Sequence, residues 1–198
     1  MDGQDSLRIR LALPDDAEKM LAIYAPVVEN TGISFEEHLP EVRSFRGRIE
    51  QTLEKLPWLV AEKEGRIAGY AYAVPHRVRA AYAWSAEATV YVGANYRQQG
   101  IASALYQKLI SILRYQGYRN VYALITVPNP ASVALHSGAG FSEIGVHRHA
   151  GYKLGRWHDV LWMERDLFEG REIDEYTPLP QSLPKLLAAG ELPGIGGE

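Results

Sequence analysis

The sequence predicts an α/β domain, a mixed sheet with helices on its faces, and three observations lead there. Stretches with a two-residue apolar alternation and stretches with a helical period succeed one another along the chain. Their order is strand, two helices, three strands, helix, strand, helix, two strands, which builds a sheet covered by helices. Hydrophobic residues make up 46% of the 198 residues and charged residues 23%, enough apolar material for one core.

Leu7–Leu13 alternates Leu7, Ile9, Leu11 and Leu13 with Arg8, Arg10 and Ala12, a strand pattern. Pro14-Asp15 then opens a helix whose apolar stripe includes Ala17, Met20, Leu21, Tyr24 and Val28, with Pro26 expected to kink it or end its regular part. Thr31–Pro40 is a loop carrying Phe35. Arg43–Leu56 has a second helical period through Phe45, Ile49, Leu53 and Leu56, stopped by Pro57. Trp58–Lys63, Ile67–Val74 and Trp84–Val92 read as strands, the first two joined through Glu64-Gly65 as a hairpin. Gly100–Gln116 is strongly amphipathic (Ile101, Leu105, Leu109, Ile112, Leu113) and closes on Gly117. Val121–Val127 is an apolar strand, Ala131–Ser137 a short helix after Asn129-Pro130, and Phe141–His149 and Trp157–Arg165 two last strands. These elements give one domain over residues 1–168. Residues 169–198 change character: Pro178, Pro180, Pro184, Pro193 and several glycines break any long element, so this reads as a tail that wraps the domain or a neighbouring subunit.

Composition removes several classes of function. A net charge of −3 gives no global pull toward nucleic acid, and no apolar run approaches the ~20 residues of a membrane helix. The absence of cysteine excludes disulfides, thiolate catalysis and Cys-ligated metals. The six histidines show no metal spacing such as H-E-x-x-H, so no metal is expected. The N-terminus lacks the order of a secretory signal, which makes the cytoplasm the expected location.

The most informative stretch is Thr89-Val-Tyr-Val92, a short loop, then Arg97-Gln-Gln-Gly-Ile-Ala-Ser103 opening the amphipathic helix. A helix start leaves backbone N–H groups without partners and carries partial positive charge. Small residues at Gly100, Ala102 and Ser103 let a pyrophosphate approach those donors; Arg97 adds a cation and Ser103 a hydroxyl. On spacing alone the same residues also read as an ordinary loop with a solvated arginine.

In context, with an apolar strand running into the loop and another ending at Pro128-Asn129-Pro130, the arrangement resembles the GCN5-related N-acetyltransferase (GNAT) superfamily. Pro57-Trp-Leu-Val-Ala-Glu62, Ala80-Ala-Tyr-Ala-Trp84, Glu87-Ala-Thr-Val-Tyr-Val92, Ser132-Val-Ala-Leu-His136 and Ala150-Gly-Tyr-Lys-Leu-Gly-Arg-Trp-His-Asp-Val160 are similar to the phosphinothricin and methionine sulfoximine acetyltransferases within it. The resemblance implies a GNAT fold with a splayed strand pair, Thr89–Val92 against Val121–Val127, whose gap takes the pantetheine arm of acetyl-CoA. It implies cofactor contacts from Val90, Tyr91 and Val92, from Arg97, Gln98, Gln99, Gly100, Ile101, Ala102 and Ser103, and from Asn129 and Ser132. The Val92 N–H is then a candidate oxyanion donor.

Acetyl transfer needs a neutral nitrogen, and an aliphatic ammonium with a pKa near ~10 is mostly protonated at neutral pH, so a base is required. The resemblance places Glu87 there; the alternative is a half-exposed strand glutamate. His136 stands where much of the superfamily has a tyrosine that protonates the departing thiolate, and reads equally as an acid or as a helix-face histidine bonded to a neighbour. Arg79 and Tyr82 match the substrate loop, an arginine fork suiting a carboxylate, although spacing alone favours a surface arginine. Phe35 is expected to wall the acceptor pocket. Tyr152 and Lys153 fall in a loop that the resemblance places near the site, from the opposite subunit of a homodimer. Trp157, His158 and Asp159 read as packing and interface residues, because strand neighbours point to opposite faces.

The expected activity is direct, ternary-complex acetyl transfer to the amine of a small amino-acid analogue, phosphinothricin first, methionine sulfoximine or sulfone next. Acetylation of a protein N-terminus or lysine, and a non-catalytic acyl-CoA sensor, are the alternatives.

Overall fold

The computed structural model describes residues 7–169 and 177–192. Seven strands form one sheet in the order β1-β2-β3-β4-β5-β7-β6. They are β1 (Arg8–Leu11), β2 (Trp58–Lys63), β3 (Arg66–Pro75), β4 (Ser85–Val92), β5 (Asn120–Val127), β6 (Ser142–Lys153) and β7 (Arg156–Asp166). Only β4 and β5 run parallel, joined through the crossover helix that a parallel pair needs; all other neighbours are antiparallel. The helices are α1 (Ala17–Asn30), α2 (Val42–Leu53), α3 (Ile101–Gln116), α4 (Pro130–Gly138) and α5 (Leu183–Ala188).

The sheet has a core on each face, and strand alternation decides which residue enters which. Ala71, Ala73, Ala86, Ala88, Val121, Ala123 and Ile125 face α3, whose Leu105, Leu109, Ile112 and Leu113 are buried against them. On the opposite face Trp58, Val60 and Tyr70 meet Met20, Tyr24 and Val28 of α1 and Phe45 and Ile49 of α2. This second core is aromatic: the Trp58 ring stacks on Tyr72 at 4.1 Å and receives Phe45 edge-on at 5.5 Å. Small residues toward α3 let that long helix sit close to the sheet, while large rings on the other side fill the wider gap under α1 and α2.

Arg10 fastens β1 to the start of α1. Its guanidinium donates to both carboxylate oxygens of Asp16 and to Glu62 of β2. Burial acts to raise the Asp16 carboxyl, but the bonds from Arg10 and from the Leu13 N–H outweigh it and hold the group below its usual range.

α1 runs through Pro26 without ending. Pro26 and Ala22, the residue whose carbonyl loses a donor, both lie on the exposed side, where water satisfies the freed group. The tail also forms a helix. Ser182 precedes α5, Pro184 occupies its first turn, and Leu183 and Leu186 are buried in the α3-side core. Gln116, itself buried, donates through Nε2 to Lys55 O and Gln181 O, and Trp84 Nε1 donates to Pro178 O. Residues 177–192 thus lie on their own domain; Pro193 falls outside the described residues.

Candidate active site

The pairing of the two central strands stops short. β4 and β5 pair only at Ser85↔Asn120, Ala86↔Val121 and Glu87↔Tyr122. β4 nevertheless stays paired to β3 as far as Val92, and β5 to β7 as far as Val127. Each strand follows its antiparallel partner, and the two splay apart beyond Glu87.

The register says which backbone groups the splay frees. His76 N–H donates to Ser85 O at one end of the β3–β4 ladder, and Gly93 N–H to Ala68 O at the other. Alternate residues bond across an antiparallel ladder, so Glu87, Thr89 and Tyr91 turn their main-chain groups to β3. Ala88, Val90 and Val92 turn theirs toward the gap that β5 has left. A slot of about 100 Å³ occupies it. Ala88, Val90, Ile125, Tyr106 and His136 line it from the α3 side; Thr89, Tyr91, Leu124, Thr126 and Ile33 line it from the α1 side. Walls drawn from both faces of one sheet make a passage in which two reactants can meet from opposite sides. A larger cavity of about 290 Å³, lined by Arg48, Trp58, Tyr72 and Val74 among others, lies under α2 on the same face as Glu87, and Val74 is the cross-strand partner of Glu87.

The start of α3 supplies donors. Gly100 takes φ +76°, and a Cβ there would meet nothing within 4 Å, so the dihedral rather than space calls for glycine. Ala104 N–H closes the first turn onto Gly100 O at 3.0 Å, which leaves the amides of Ile101, Ala102 and Ser103 without an intrahelical acceptor. Arg97 and Gln98 are exposed beside them. Gln99 is engaged with Lys63 Nζ at 2.9 Å and Asn95 O at 3.0 Å, and the Ile101 side chain is buried in the core, so only its amide is available. Across the slot, Asn129 Oδ1 caps α4 by accepting from Ser132 N–H at 3.2 Å.

His136 is buried with both ring nitrogens occupied. Nδ1 lies 2.7 Å from Ser132 O, which can only accept, so Nδ1 carries the hydrogen. Nε2 then accepts from the Tyr106 hydroxyl at 2.8 Å. Burial lowers the His136 pKa, against the smaller opposing effect of the Ser132 carbonyl, and burial also pushes the Tyr106 phenol up. The pair is therefore neutral near pH 7, and an uncharged imidazole so engaged has no proton to give a thiolate. The geometry favours the bonded helix-face histidine over the acid.

Glu87 stands at the closed end of the splay, at the last paired position, on the face of Thr89 and Tyr91. Its Oε1 is 2.9 Å from His76 Nδ1, and its Oε2 has no hydrogen-bond partner among the described residues. Tyr82 reaches the same place, its ring 5.6 Å from that of His76; Arg79 is exposed at the start of the same loop.

Three expected contacts are not where they were anticipated. Tyr91 turns its backbone to Tyr70 and its ring to Tyr24, 4.9 Å away, so it offers the gap a wall and no main-chain bond. Phe35 lies on Gly151 and near His158, outside the slot, where Ile33 takes the wall position. Lys153 is buried, its ammonium donating to Val28 O at 2.6 Å and Ser34 O at 2.8 Å; it fastens the loop after α1 and is spent on that. Tyr152, expected at a neighbouring subunit's site, is exposed beside Trp157, 5.3 Å away. His158 bonds Lys153 O at 3.0 Å, a packing role. Sequence reasoning passed over His76 and Tyr106. Hairpin register, which the sequence does not supply, is what brings His76 there: with Val74 opposite Glu87, residue 76 falls on the adjoining diagonal. Tyr106 is not among the apolar positions that mark α3 in the sequence.

Comparison with known proteins agrees with this geometry. Residues 9–162 match the acetyltransferase (GNAT) domain. The chain is 38% identical over 160 residues to the phosphinothricin N-acetyltransferase of Streptomyces viridochromogenes, covering 81% of this chain and 87% of that one. It is 32% identical to an L-methionine sulfoximine/L-methionine sulfone acetyltransferase of Pseudomonas aeruginosa, covering 82% and 95% respectively. The crystal structure of a phosphinothricin acetyltransferase from Sinorhizobium meliloti in complex with AcCoA superposes with a TM-score of 0.82 at 31% identity, covering 87% of this chain and 95% of that one.

Proposed function

Since the chain belongs to the acetyltransferase (GNAT) family, we propose that its acceptor is the amine of a small amino-acid analogue and that Glu87 is the base that frees it. The protein is an acetyl-CoA-dependent N-acetyltransferase. Phosphinothricin is the first acceptor to expect and methionine sulfoximine or sulfone the second, because relatives named for both match most of the chain.

One observation carries the reading: strand pairing ends at Glu87, and beyond it a passage crosses the sheet between Val90 and Ile125. The thioester arm fits along the freed main-chain groups of Val90 and Val92, as one more strand would, with the pyrophosphate on the amides at the start of α3 and Arg97 beside it. The Val92 N–H is the donor available to the carbonyl oxygen as negative charge builds there. The acceptor enters from the α1 side, its carboxylate toward Arg79. Glu87 takes one proton from the ammonium. The neutral amine attacks the carbonyl carbon, forming the C–N bond; collapse breaks the C–S bond, and one of the two protons still on nitrogen passes to sulfur, the other staying on the amide. Glu87 then returns its proton to solvent.

The test is a panel of amines with acetyl-CoA, read by release of free thiol. Glu87→Gln is expected to lower kcat on phosphinothricin about 10²-fold while leaving acetyl-CoA affinity unchanged. Full turnover by the variant removes Glu87 as the base. Acetylation of peptides alone would favour a protein acceptor, and binding without turnover a sensor. The reading includes a homodimer meeting along β6, an edge strand of 12 residues that exposes Ile144 and Val146; a solution mass of one chain would remove that part. It also locates the protein in the cytoplasm, where acetyl-CoA and free amino acids meet.

A further inference from the structure

The base assigned above does not stand alone. His76 follows the last residue of β3, and its Nδ1 lies 2.9 Å from Glu87 Oε1. The imidazole is itself held on three sides. The Tyr122 ring lies 4.5 Å from it, the Tyr82 ring 5.6 Å and the Trp162 ring 5.8 Å, the last two edge-on. Tyr122 belongs to β5 and Trp162 to β7, so two of the three walls stand on the central sheet rather than on loops. The ring is largely buried, whereas the carboxylate is about a quarter exposed.

A glutamate on a strand has three freely rotating bonds, and one that is partly exposed samples several positions. A hydrogen bond from a clamped ring removes most of that freedom from Oε1 and leaves Oε2 with its lone pairs unused. Neutral imidazole can donate at only one nitrogen; the carboxylate accepts at Oε1, so Nδ1 carries the hydrogen in both the neutral and the charged ring. The bond therefore survives any change in the histidine's charge.

We propose that His76 is a positioning residue for the transfer reaction: its Nδ1–H fixes the Glu87 carboxylate at the closed end of the splayed strands. The inference rests on Glu87 being the base. His76 touches no reactant; it acts through the carboxylate it holds. A misplacement of about 1 Å in a reacting group costs on the order of 10²-fold in rate, which sets the upper size of the effect.

The experiment uses isosteres. An asparagine amide nitrogen falls near the position of Nδ1, and a glutamine amide nitrogen near that of Nε2. With phosphinothricin and acetyl-CoA both saturating, His76→Leu is expected to lower kcat by about 10- to 100-fold with the KM for acetyl-CoA unchanged. His76→Asn is expected to recover most of that loss and His76→Gln little of it. In a Glu87→Gln background, His76→Leu is expected to reduce kcat no further, since nothing is left to position. Melting temperatures show whether each variant is folded, and the Asn–Gln comparison carries the test if the leucine variant is not. Equal activity of the Asn and Gln variants overturns the inference, as does an undiminished effect of His76→Leu without Glu87. If Glu87→Gln alone keeps full turnover, the base assignment falls and this inference with it. If Glu87→Gln is impaired while His76→Leu is not, only the positioning role falls.

Discussion

Gly100→Ala separates the cofactor's two anchorage points. Residue 100 is the N-cap of α3 at φ +76°, a region in which an L side chain costs about 1–2 kcal/mol. The added methyl meets nothing within 4 Å, so no steric penalty joins the conformational one. For a chain of this size each kcal/mol moves the melting temperature by about 2–4 °C, and the substitution is expected to lower it by about 2–8 °C. Function adds a second readout. If the loop relieves its strain by rotating, the amides of residues 101–103 leave their common direction, and the same 1–2 kcal/mol appears as a roughly 5- to 30-fold weaker affinity for CoA. S-acetylpantetheine has no pyrophosphate and never meets those amides. Calorimetric titration with CoA and steady-state kinetics with acetylpantetheine should therefore diverge in the variant, the first weakened and the second unchanged. Equal loss with both ligands would refute the assignment of the α3 N-terminus to the pyrophosphate. An unchanged melting temperature would refute the strain argument.

Two further outcomes follow from buried groups. The His136 pKa lies below that of the unfolded chain because burial opposes its charge. Between the two values the unfolded state binds the extra proton, so stability is expected to fall as pH drops below about 6.5. His136→Gln should flatten the dependence of denaturant midpoint on pH between 7 and 5; an unchanged slope would dismiss His136 as its source. Lys153→Met leaves the carbonyls of Val28 and Ser34 without their donor and should cost about 2–4 kcal/mol. Because Ile33 belongs to the loop so fastened, the KM for the acceptor should rise as well; a variant normal in both melting and kinetics would show that the loop holds itself.

Much of the fold was legible because each core speaks through alternation. Glu87-Ala-Thr-Val-Tyr-Val92 places small apolar residues on one side and polar or aromatic ones on the other, and the structure gives the first set to α3 and the second to α1. What periodicity cannot express is where pairing between β4 and β5 stops, because that depends on partners brought together by a 16-residue helix and on the antiparallel neighbours that draw each strand away. The splay came from resemblance; the bond from His76 to Glu87 came from neither. A strand's own alternation says which face a side chain takes, but a diagonal contact also needs the register of its hairpin. Here that register turns on the loop of residues 76–84, whose Arg, Ala and Tyr carry no turn signal strong enough to count positions.

The same distinction explains Lys153 and His136. The resemblance placed Lys153 near the acceptor, and His136 read equally as an acid and as a bonded helix-face histidine. In the folded protein, other polar groups have already claimed them: two carbonyls for the lysine, and a carbonyl of its own helix and a phenol of α3 for the histidine. A buried polar group must find partners to be tolerated at all, so burial itself argues for satisfaction before reactivity. Glu87 differs in that one of its two oxygens is satisfied by a clamped ring and the other, among the described residues, is not. A carboxylate half anchored and half free is oriented without being neutralised, which is the condition a base in this slot has to meet.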